Sequence, residues 1–235
     1  MFDEVLANVL LVLLCYVYII IMILASSKLD KLLHISKKAS RKFLHVMIGN
    51  LPFVIPFFTS NIYPVLVAAP FIVVTFLASP YTPFRSVSKM AKGLSEISEE
   101  GHALGLVFYA ISYTVLALFF ASEPYIIAAG ILPMAYGDSI ASLVGERFGK
   151  RRYKLAAGKS LEGSVAMFVA SFCSLTVSLF FFSTLYSFSI FGKILPALAT
   201  CIVGTLVEGF SPMSFDNLTV PAFAVLTFLL LGGGS

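Results

Sequence analysis

Long apolar stretches, separated by short polar segments, follow one another along almost the whole chain. A transmembrane helix needs about 20 mainly apolar residues to cross a hydrocarbon core of roughly 30 Å. The pattern therefore predicts an all-α fold, a polytopic bundle of about eight transmembrane helices, with seven or nine as alternatives. The stretches lie at about residues 5–25, 43–58, 62–79, 102–121, 125–144, 161–185, 191–208 and 218–231.

The second stretch, at 43–58, is expected to be irregular. It contains Pro52 and Pro56. Because proline lacks a backbone N–H group and clashes with the preceding helical turn, it kinks or breaks the interior of a helix. We therefore expect this span to be kinked or broken.

The composition agrees with a membrane protein. Of the 235 residues, 59% are hydrophobic and 12% are charged, whereas a soluble domain usually has about a quarter of its residues charged. No polar stretch is long enough to enclose a core of its own. We therefore expect one integral-membrane domain over residues 1–231 and no nucleic-acid partner. Residues 232–235 resemble an artificial glycine–serine linker.

The cations are distributed unevenly between the two sets of loops. If the N-terminus lies outside, the first three cytoplasmic loops hold six, three and six of the 16 lysines and arginines, and Lys193 alone lies outside. Because cytoplasmic loops are rich in lysine and arginine, this asymmetry favours that orientation. It predicts a multi-pass protein of the cell membrane or endoplasmic reticulum, in contact with membrane lipids, whose polar chemistry faces the cytosol.

An aspartate lies within the fifth apolar stretch. Asp138 stands between Gly137 and Ser139. An ionisable residue inside a span costs a few kcal/mol and is by default a candidate for function. The small neighbours allow a ligand or another backbone to approach closely. The alternative is a structural ion pair, for example with Arg147.

A Gly-Lys-Ser sequence opens the sixth stretch, directly after a cluster of cations. Gly158, Lys159 and Ser160 could bind phosphate through backbone N–H groups at a helix N-terminus and through the ammonium group. The segment is not a Walker A loop, because that motif needs a glycine where Tyr153 stands. Helix capping by Ser160 explains the sequence equally well.

The side chains around this segment also allow two explanations, phosphate binding and a structural role. Glu162 suits the first turn of a helix because its charge favours the positive end of the helix dipole, but it is also a carboxylate close to a phosphate-binding candidate. Arg147 and Lys150 could help to bind phosphate, or they could simply face anionic lipid.

Carboxylates recur around the turn between the last two stretches. Glu208 precedes this turn, and Asp216 and Asn217 end it. A capped turn explains an aspartate or an asparagine here. However, hard oxygen ligands are also what Mg²⁺ or Ca²⁺ prefers. The carboxylates on this membrane face are therefore candidates for binding a divalent cation.

A third cationic segment leads into the second stretch. Arg41 and His45 lie one helical turn apart, and Lys42 is next to Arg41. Two cations beside a histidine favour the binding of an anion. The alternative is a histidine that only satisfies its own hydrogen bonds.

In this order and spacing the motifs resemble the CTP-dependent polyprenol kinase family, which includes dolichol kinase, phytol kinase and a CTP-using diacylglycerol kinase. The resemblance extends over residues 40–222. It rests on four segments: Arg41-Lys42-x-x-His45, Gly137-Asp138-Ser139-x-Ala141-Ser142-x-x-Gly145-x-x-x-Gly149, Gly158-Lys159-Ser160-x-Glu162-Gly163-Ser164 and Asp216-Asn217-x-x-Val220-Pro221.

The resemblance implies an enzyme that transfers the γ-phosphoryl group of CTP to a lipid alcohol, with Mg²⁺ or another divalent cation such as Ca²⁺. The acceptor implied is an isoprenoid alcohol of the dolichol, polyprenol or phytol type, with geranylgeraniol and diacylglycerol as alternatives. Asp138 could instead orient or deprotonate the acceptor hydroxyl. The implied catalytic residues are Asp138, Lys159 and Asp216. Asp138 and Asp216, with Glu162 or Glu208, would hold the divalent cation. The implied nucleotide- or phosphate-binding residues are Arg41, Lys42, His45, Arg147, Lys150, Gly158, Ser160 and Asn217.

Two other functions are weighed against a kinase. The family is distantly related to phosphatidate cytidylyltransferases, but this chain lacks their long acidic signature with glycine and histidine near the C-terminus. A small ion-coupled transporter also carries acids within its spans. It would need polar residues on both membrane faces, and the predicted outer loops have few. The sequence leaves the oligomeric state open.

Overall fold

The computed structural model describes residues 2–33, 36–83, 104–153, 159–212 and 214–234. Within these ranges the chain forms nine α-helices, a 3-10 helix, a π-helical segment and one two-stranded hairpin. The predicted all-α class is therefore confirmed. By contact the chain divides into two compact units, Met1–Ser122 and Glu123–Ser235. A single domain over residues 1–231 stays a prediction.

Four of the helices are long and apolar enough to cross a membrane, at Asp3–Leu29, Pro124–Phe148, Leu161–Tyr186 and Ile190–Phe210. The apolar helices Ile62–Ala78, Gly105–Phe120 and Asp216–Leu230 have 17, 16 and 15 residues. They are shorter than the roughly 20 residues of a straight span. The helices show a membrane protein, but they do not confirm about eight spans or an outside N-terminus.

In its described residues, unit 1 is built from four α-helices and the 3-10 helix. α1 packs against α2 and α3, and α3 packs against α4. The Asn8 amide links α1 to the turn before α3, since it donates to Thr59 Oγ1 at 2.6 Å and accepts from Thr59 N at 2.9 Å. The elements are α1 (Phe2–Leu33), α2 (Lys37–Ile48), the 3-10 helix (Leu51–Phe57), α3 (Ile62–Ala78) and α4 (Gly105–Phe120).

The second predicted span has the expected break. α2 begins after Ser36, whose Oγ accepts from Ala39 N at 3.1 Å, and it ends at Ile48. Gly49 and Asn50 form a turn before the 3-10 helix, which starts with Pro52 near its N-terminus. The α-helical part has only 12 residues, so this segment does not form one continuous transmembrane helix.

Unit 2 has a buried central rod. α5, a π-helical segment and α6 follow one another without a break and form this rod. In the most apolar stretch of the rod 78% of the residues are buried, whereas in the corresponding stretches of α7 and α8 only 33% are buried. α7, α8 and α9 pack around it. The elements are α5 (Pro124–Leu132), the π-helical segment (Pro133–Asp138), α6 (Ser139–Phe148), α7 (Leu161–Tyr186), α8 (Ile190–Phe210) and α9 (Asp216–Leu230).

A small hairpin joins α6 to α7. Strands β1 (Arg152–Tyr153) and β2 (Lys159–Ser160) pair in antiparallel fashion, with Tyr153 opposite Lys159 and Arg152 opposite Ser160. The amide of Leu161 donates to Arg151 O at 2.9 Å and extends this pairing. The hairpin therefore fixes the backbone position of Lys159.

Lys193, expected as the single cation outside, is buried in the first turn of α8. Its Nζ donates to Gly233 O at 2.8 Å, and it lies 5.0 Å and 4.8 Å from the ring centroids of Tyr125 and Phe188. Aromatic rings and a carbonyl oxygen stabilise a cation that has left water. The assignment of residues 232–235 to a linker stays a prediction.

Candidate active site

Asp138 ends the π-helical segment. Asp138 is 6% exposed and lies at the junction between the π-helical segment and α6. π-helical turns are rare and are frequent at functional sites. Gly137 allows α7 to come close here, since a Cβ atom built on it would lie 2.1 Å from Ser171 Oγ. The approach of α7 therefore fixes the helix around Asp138.

Lys159 is bound by the C-terminal turn of α8. Its ammonium group donates to the carboxylate of Glu208 and, at 2.5 Å, to the carbonyl oxygen of the same residue. The Glu208 residue is 5% exposed, so the ion pair is largely withdrawn from water. The hairpin and α8 are therefore joined by a charge-assisted contact, which is stronger than a neutral hydrogen bond.

Two further acids act electrostatically on the carboxylate of this ion pair. The charges of Asp138 and Asp216 both act on the carboxylate of Glu208, and Asp216 is 9% exposed. Of the predicted site residues, Lys159 and Glu208 are therefore in direct contact, and Asp138 and Asp216 lie within electrostatic range of Glu208. Three acids against one ammonium group leave a net negative charge, which favours a cation.

In the described ranges, no three carboxylate, histidine or cysteine groups are close enough to hold one metal ion together. The proposed metal ligands Asp138, Glu162, Glu208 and Asp216 therefore stay a prediction. The donor chemistry itself fits Mg²⁺ or Ca²⁺, because carboxylate oxygens are their usual protein ligands. A metal-bound state would need the side chains to draw closer to one another.

Glu162 has a local structural contact. Its carboxylate accepts from the backbone N–H groups of Lys150 at 3.2 Å and of Arg151 at 3.3 Å. This contact ties the first turn of α7 to the two residues that lead into strand β1. The side chain therefore supports the hairpin that carries Lys159.

Ser160 caps α7. Its Oγ accepts from Gly163 N at 3.1 Å, and its extended backbone is the conformation usual at this position. The capping explanation of the Gly-Lys-Ser sequence is thus confirmed. A role for Ser160 in phosphate binding stays a prediction, and Gly158 lies outside the described residues.

The glycines of the two central motifs allow α6 and α7 to touch. A Cβ atom built on Gly163 would lie 3.0 Å from Ala141 O and 3.4 Å from Gly145 Cα, and one on Gly149 would lie 2.7 Å from Ser160 Oγ. No flexible side-chain end could move aside to relieve the contacts to backbone atoms. These glycines therefore have a packing role, which brings Asp138 and the hairpin into one unit.

The two cations near the end of α6 are exposed. The guanidinium group of Arg147 lies 5.5 Å from the centroid of the Phe148 ring, and both of these side chains face outward. Lys150 is also exposed and follows them on the way to the hairpin. Their predicted part in phosphate binding stays a prediction.

The turn before α9 places Asp216 and Asn217. Ser214 has a left-handed backbone with φ of 70°, and Ser214 O accepts from Asn217 N at 3.3 Å. Asp216 Oδ1 accepts from the same amide at 2.9 Å. An acid in the first turn of α9 also interacts favourably with the helix dipole. Both side chains are buried.

The segment Arg41-Lys42-x-x-His45 lies in unit 1, whereas the acids and Lys159 lie in unit 2. All three of its polar residues are buried on α2. The His45 ring stacks on Tyr109 at a centroid distance of 4.8 Å, and Tyr109 Oη donates to His45 O at 3.1 Å. The segment is therefore a buried cationic group within its own unit.

Tyr153 is a site residue that sequence reasoning missed. It stands opposite Lys159 in the hairpin, and its Oη lies 2.6 Å from Ser164 Oγ. A Cβ atom built on Gly209 would lie 3.1 Å from this oxygen, so glycine next to Glu208 leaves room for the ring. These contacts join residues from different elements of the chain, and no local sequence pattern predicts them.

Comparison with known proteins gives several relatives. The chain is 38% identical over 128 residues to a phytol kinase of Synechocystis sp., with 53% of each chain covered. It is 30% identical over 202 residues to the dolichol kinase of Saccharomyces cerevisiae, covering 82% of this chain and 37% of the relative. It is 30% identical over 214 residues to a chloroplastic farnesol kinase of Arabidopsis thaliana, covering 83% and 66%.

The chain thus spans between 37% and 66% of the length of these three relatives. No protein-family model matches the chain, and no solved structure matches it.

Proposed function

We propose, since the chain belongs to the polyprenol kinase family, that it is a membrane-embedded kinase that transfers the γ-phosphoryl group of CTP to an isoprenoid alcohol. The observation that carries the proposal is the Lys159–Glu208 ion pair, with Asp138 and Asp216 acting on the same carboxylate. Such a group combines a phosphate-binding cation with acids that can hold a metal ion.

Phosphoryl transfer depends on alignment of the reactants and on neutralisation of charge rather than on covalent steps by the protein. Lys159 supplies a positive charge for the phosphates of the donor. In the present state this charge is neutralised by Glu208. On our proposal the phosphates of CTP replace Glu208 as the partner of Lys159, and the freed carboxylate is then available to a cation.

The carboxylates of Asp138, Glu208 and Asp216 would hold a divalent cation, with Glu162 as a further candidate ligand. Such an ion, Mg²⁺ or a similar one, would neutralise charge on the phosphate oxygens. Asn217, next to Asp216, has an amide that can donate to phosphate. Among the three acids, Asp138 is our candidate for orienting the acceptor hydroxyl or accepting its proton.

The remaining predicted residues would help to bind anionic phosphate groups. Ser160 would offer its N–H group at the start of α7, where the helix dipole favours negative charge, and Gly158 is proposed from the sequence alone. Arg147 and Lys150, both exposed, would attract the highly charged nucleotide from solution. Arg41, Lys42 and His45 would bind an anion in unit 1.

We place the reaction on the cytosolic face of a multi-pass protein. This placement is supported by the position of the cations, because all lysines and arginines except Lys193 fall on one predicted side. A hydrophobic lipid acceptor and a charged nucleotide donor can meet only at the boundary between membrane and water. Lys159 in strand β2 directly before α7, Glu208 in the last turn of α8 and Asp216 in the first turn of α9 all lie at helix ends, which suits that requirement.

Transfer of label tests the proposal. Purified protein with Mg²⁺ is incubated with γ-labelled CTP or ATP and with farnesol, phytol or dolichol, and labelled lipid phosphate is separated and counted. We expect label from CTP in an isoprenoid phosphate, with an equal amount of CDP. In a parallel reaction with CTP and phosphatidate, release of pyrophosphate with formation of a CDP-lipid would instead identify a cytidylyltransferase. Absence of any labelled lipid with either nucleotide would contradict the kinase.

A further inference from the structure

A pair of hydroxyl groups joins the end of α8 to the start of α9. Ser211 Oγ lies 2.6 Å from Thr219 Oγ1, which is within the usual range for a hydrogen bond between two hydroxyl groups. Ser211 is the residue directly after α8, and Thr219 lies in the first turn of α9. The pair therefore closes the turn between the two helices.

The two hydroxyl protons account for this contact. Ser211 Oγ also lies 2.7 Å from Val207 O, and Thr219 Oγ1 lies 3.0 Å from Phe215 O. Each hydroxyl group has only one proton to donate. Two hydroxyl oxygens cannot approach to 2.6 Å without a proton between them, because their lone pairs would repel each other. One hydroxyl group therefore donates to the other, which in turn donates to a nearby backbone carbonyl oxygen.

The sequence explains why the chain leaves α8 at this point. Pro212 follows Ser211, and a residue before proline is disfavoured in the helical conformation. Ser211 accordingly has an extended backbone, with φ of −73° and ψ of 130°, while its N–H group still donates to Val207 O at 2.9 Å. The Ser211 hydroxyl group is thus held at the end of α8, within reach of α9.

Each of these hydroxyl groups follows a candidate site acid by about one helical turn. Glu208 precedes Ser211 by three residues, and Asp216 precedes Thr219 by three residues. Residues three positions apart are neighbours on the surface of a helix. Both acids are buried, and the charge of Asp216 acts on the Glu208 carboxylate. The hydrogen bond between the two hydroxyl groups therefore restrains the distance between the two acids.

We infer that Ser211 and Thr219 are positioning residues, and that their hydrogen bond fixes the separation of the Glu208 and Asp216 carboxylates. This inference rests on the proposed function, in which both acids belong to the reaction site. Neither hydroxyl group touches a substrate in this role, because the effect is transmitted through the backbone of the turn. A misplacement of reacting groups by about 1 Å can lower a rate about 100-fold.

Two substitutions of Thr219 separate its hydroxyl group from the shape of its side chain. Valine keeps the branched shape and loses the hydroxyl group, whereas serine keeps the hydroxyl group and loses a methyl group. We expect T219V to lower kcat for label transfer from CTP to farnesol about tenfold, with both KM values unchanged. T219S should keep most of the wild-type kcat, because the hydrogen bond to Ser211 remains.

The matched control is T227V. Thr227 is on the same helix, and its Oγ1 donates to Phe223 O within α9 at 2.8 Å, so its hydroxyl group can be removed without loss of the contact to α8. T227V should have the wild-type kcat. Equal kcat values in T219V and wild type would contradict the inference. Equal losses in T219V and T219S, or in T219V and T227V, would also overturn it, because the loss would then come from packing.

Hydrogen exchange tests the contact without any substrate. The N–H groups of Asn217 and Thr219 donate within the turn, to Ser214 O at 3.3 Å and to Phe215 O at 2.8 Å. In T219V the peptide that contains them should exchange about fivefold faster than in wild type, as expected for the loss of one hydrogen bond. The same peptide in T227V should exchange at the wild-type rate. Unchanged exchange in T219V would overturn the inference.

The two proposals fail in different ways. Label transfer from CTP to farnesol that is equally fast in wild type and T219V would remove the positioning role and leave the kinase. Absence of labelled lipid in wild type would remove the kinase and the role in its reaction, while faster exchange in T219V would support the contact between α8 and α9.

Discussion

The ammonium group of Lys159 binds Glu208 twice, through the carboxylate and through the backbone carbonyl oxygen at 2.5 Å. The two residues are 49 positions apart in the chain. Lys159 comes from the hairpin before α7, and Glu208 comes from the last turn of α8. This contact joins a phosphate-binding candidate to an acid within one unit.

Replacement of Lys159 by alanine should lower the rate of lipid phosphorylation about 100- to 1000-fold, because loss of one group that stabilises developing charge typically has this effect on kcat. The measurement is label transfer from γ-labelled CTP at saturating lipid. The matched control is R152A, which removes an exposed cation from the other strand of the same hairpin. Equal losses in K159A and R152A would indicate a general charge effect and contradict a specific role for Lys159.

Replacement of Glu208 by glutamine should lower the unfolding temperature in detergent, since it leaves the Lys159 ammonium group without its charged partner in a largely buried position. Replacing both residues, as K159M/E208Q, should restore part of this loss. Contacting residues typically show coupling free energies of about 0.5–3 kcal/mol. Strictly additive shifts in the unfolding temperature would show that the ion pair contributes nothing.

Replacement of Tyr153 by phenylalanine should lower kcat roughly fivefold, which corresponds to the loss of one hydrogen bond of about 1 kcal/mol. The hydroxyl lies 2.6 Å from Ser164 Oγ, and the ring supports the strand opposite Lys159. The KM for the lipid should not change. S164A removes the same hydrogen bond from the other side, so Y153F/S164A should be no slower than either single variant. A further fivefold loss in the double variant would contradict this coupling.

Replacement of Gly137 by alanine should destabilise the protein by about 1–3 kcal/mol, the usual effect of overpacking a core. The new Cβ atom would meet Ser171 Oγ at 2.1 Å. Removal of that oxygen, as in G137A/S171A, should restore part of the unfolding temperature. G163A meets the backbone oxygen of Ala141 instead, so no side-chain substitution should relieve it. A G137A protein as stable as wild type would contradict the close packing of α7 on the rod.

Much of the fold could be predicted from local pattern. Hydrophobic length located the helices, and Pro52 and Pro56 indicated the break in the second stretch, because both effects act within one segment. Hydrophobic length alone does not fix the number of spans. Short apolar helices such as Ile62–Ala78 do not show from their residues alone whether they cross the membrane.

The candidate site was predictable only in part. An aspartate in an apolar run and a Gly-Lys-Ser before a helix stand out because each is unusual within its own segment. Tyr153 does not stand out, since its role comes from Ser164 and Gly209, which lie on two other helices. In the same way, the sequence predicts only that Lys193 lies on the outer side. Its aromatic surroundings come from Tyr125 and Phe188, which are distant in sequence or across a turn.

The most direct test of the central claim is γ-label transfer by wild-type protein and by D138N, each with CTP, Mg²⁺ and an isoprenoid alcohol. Asparagine keeps the size of the buried Asp138 side chain but removes its charge, so D138N should keep the unfolding temperature of a folded protein. We expect wild type to form labelled isoprenoid phosphate, and we expect D138N to form none above background. A folded D138N protein that transfers label at the wild-type rate would contradict the assignment of this carboxylate to the reaction.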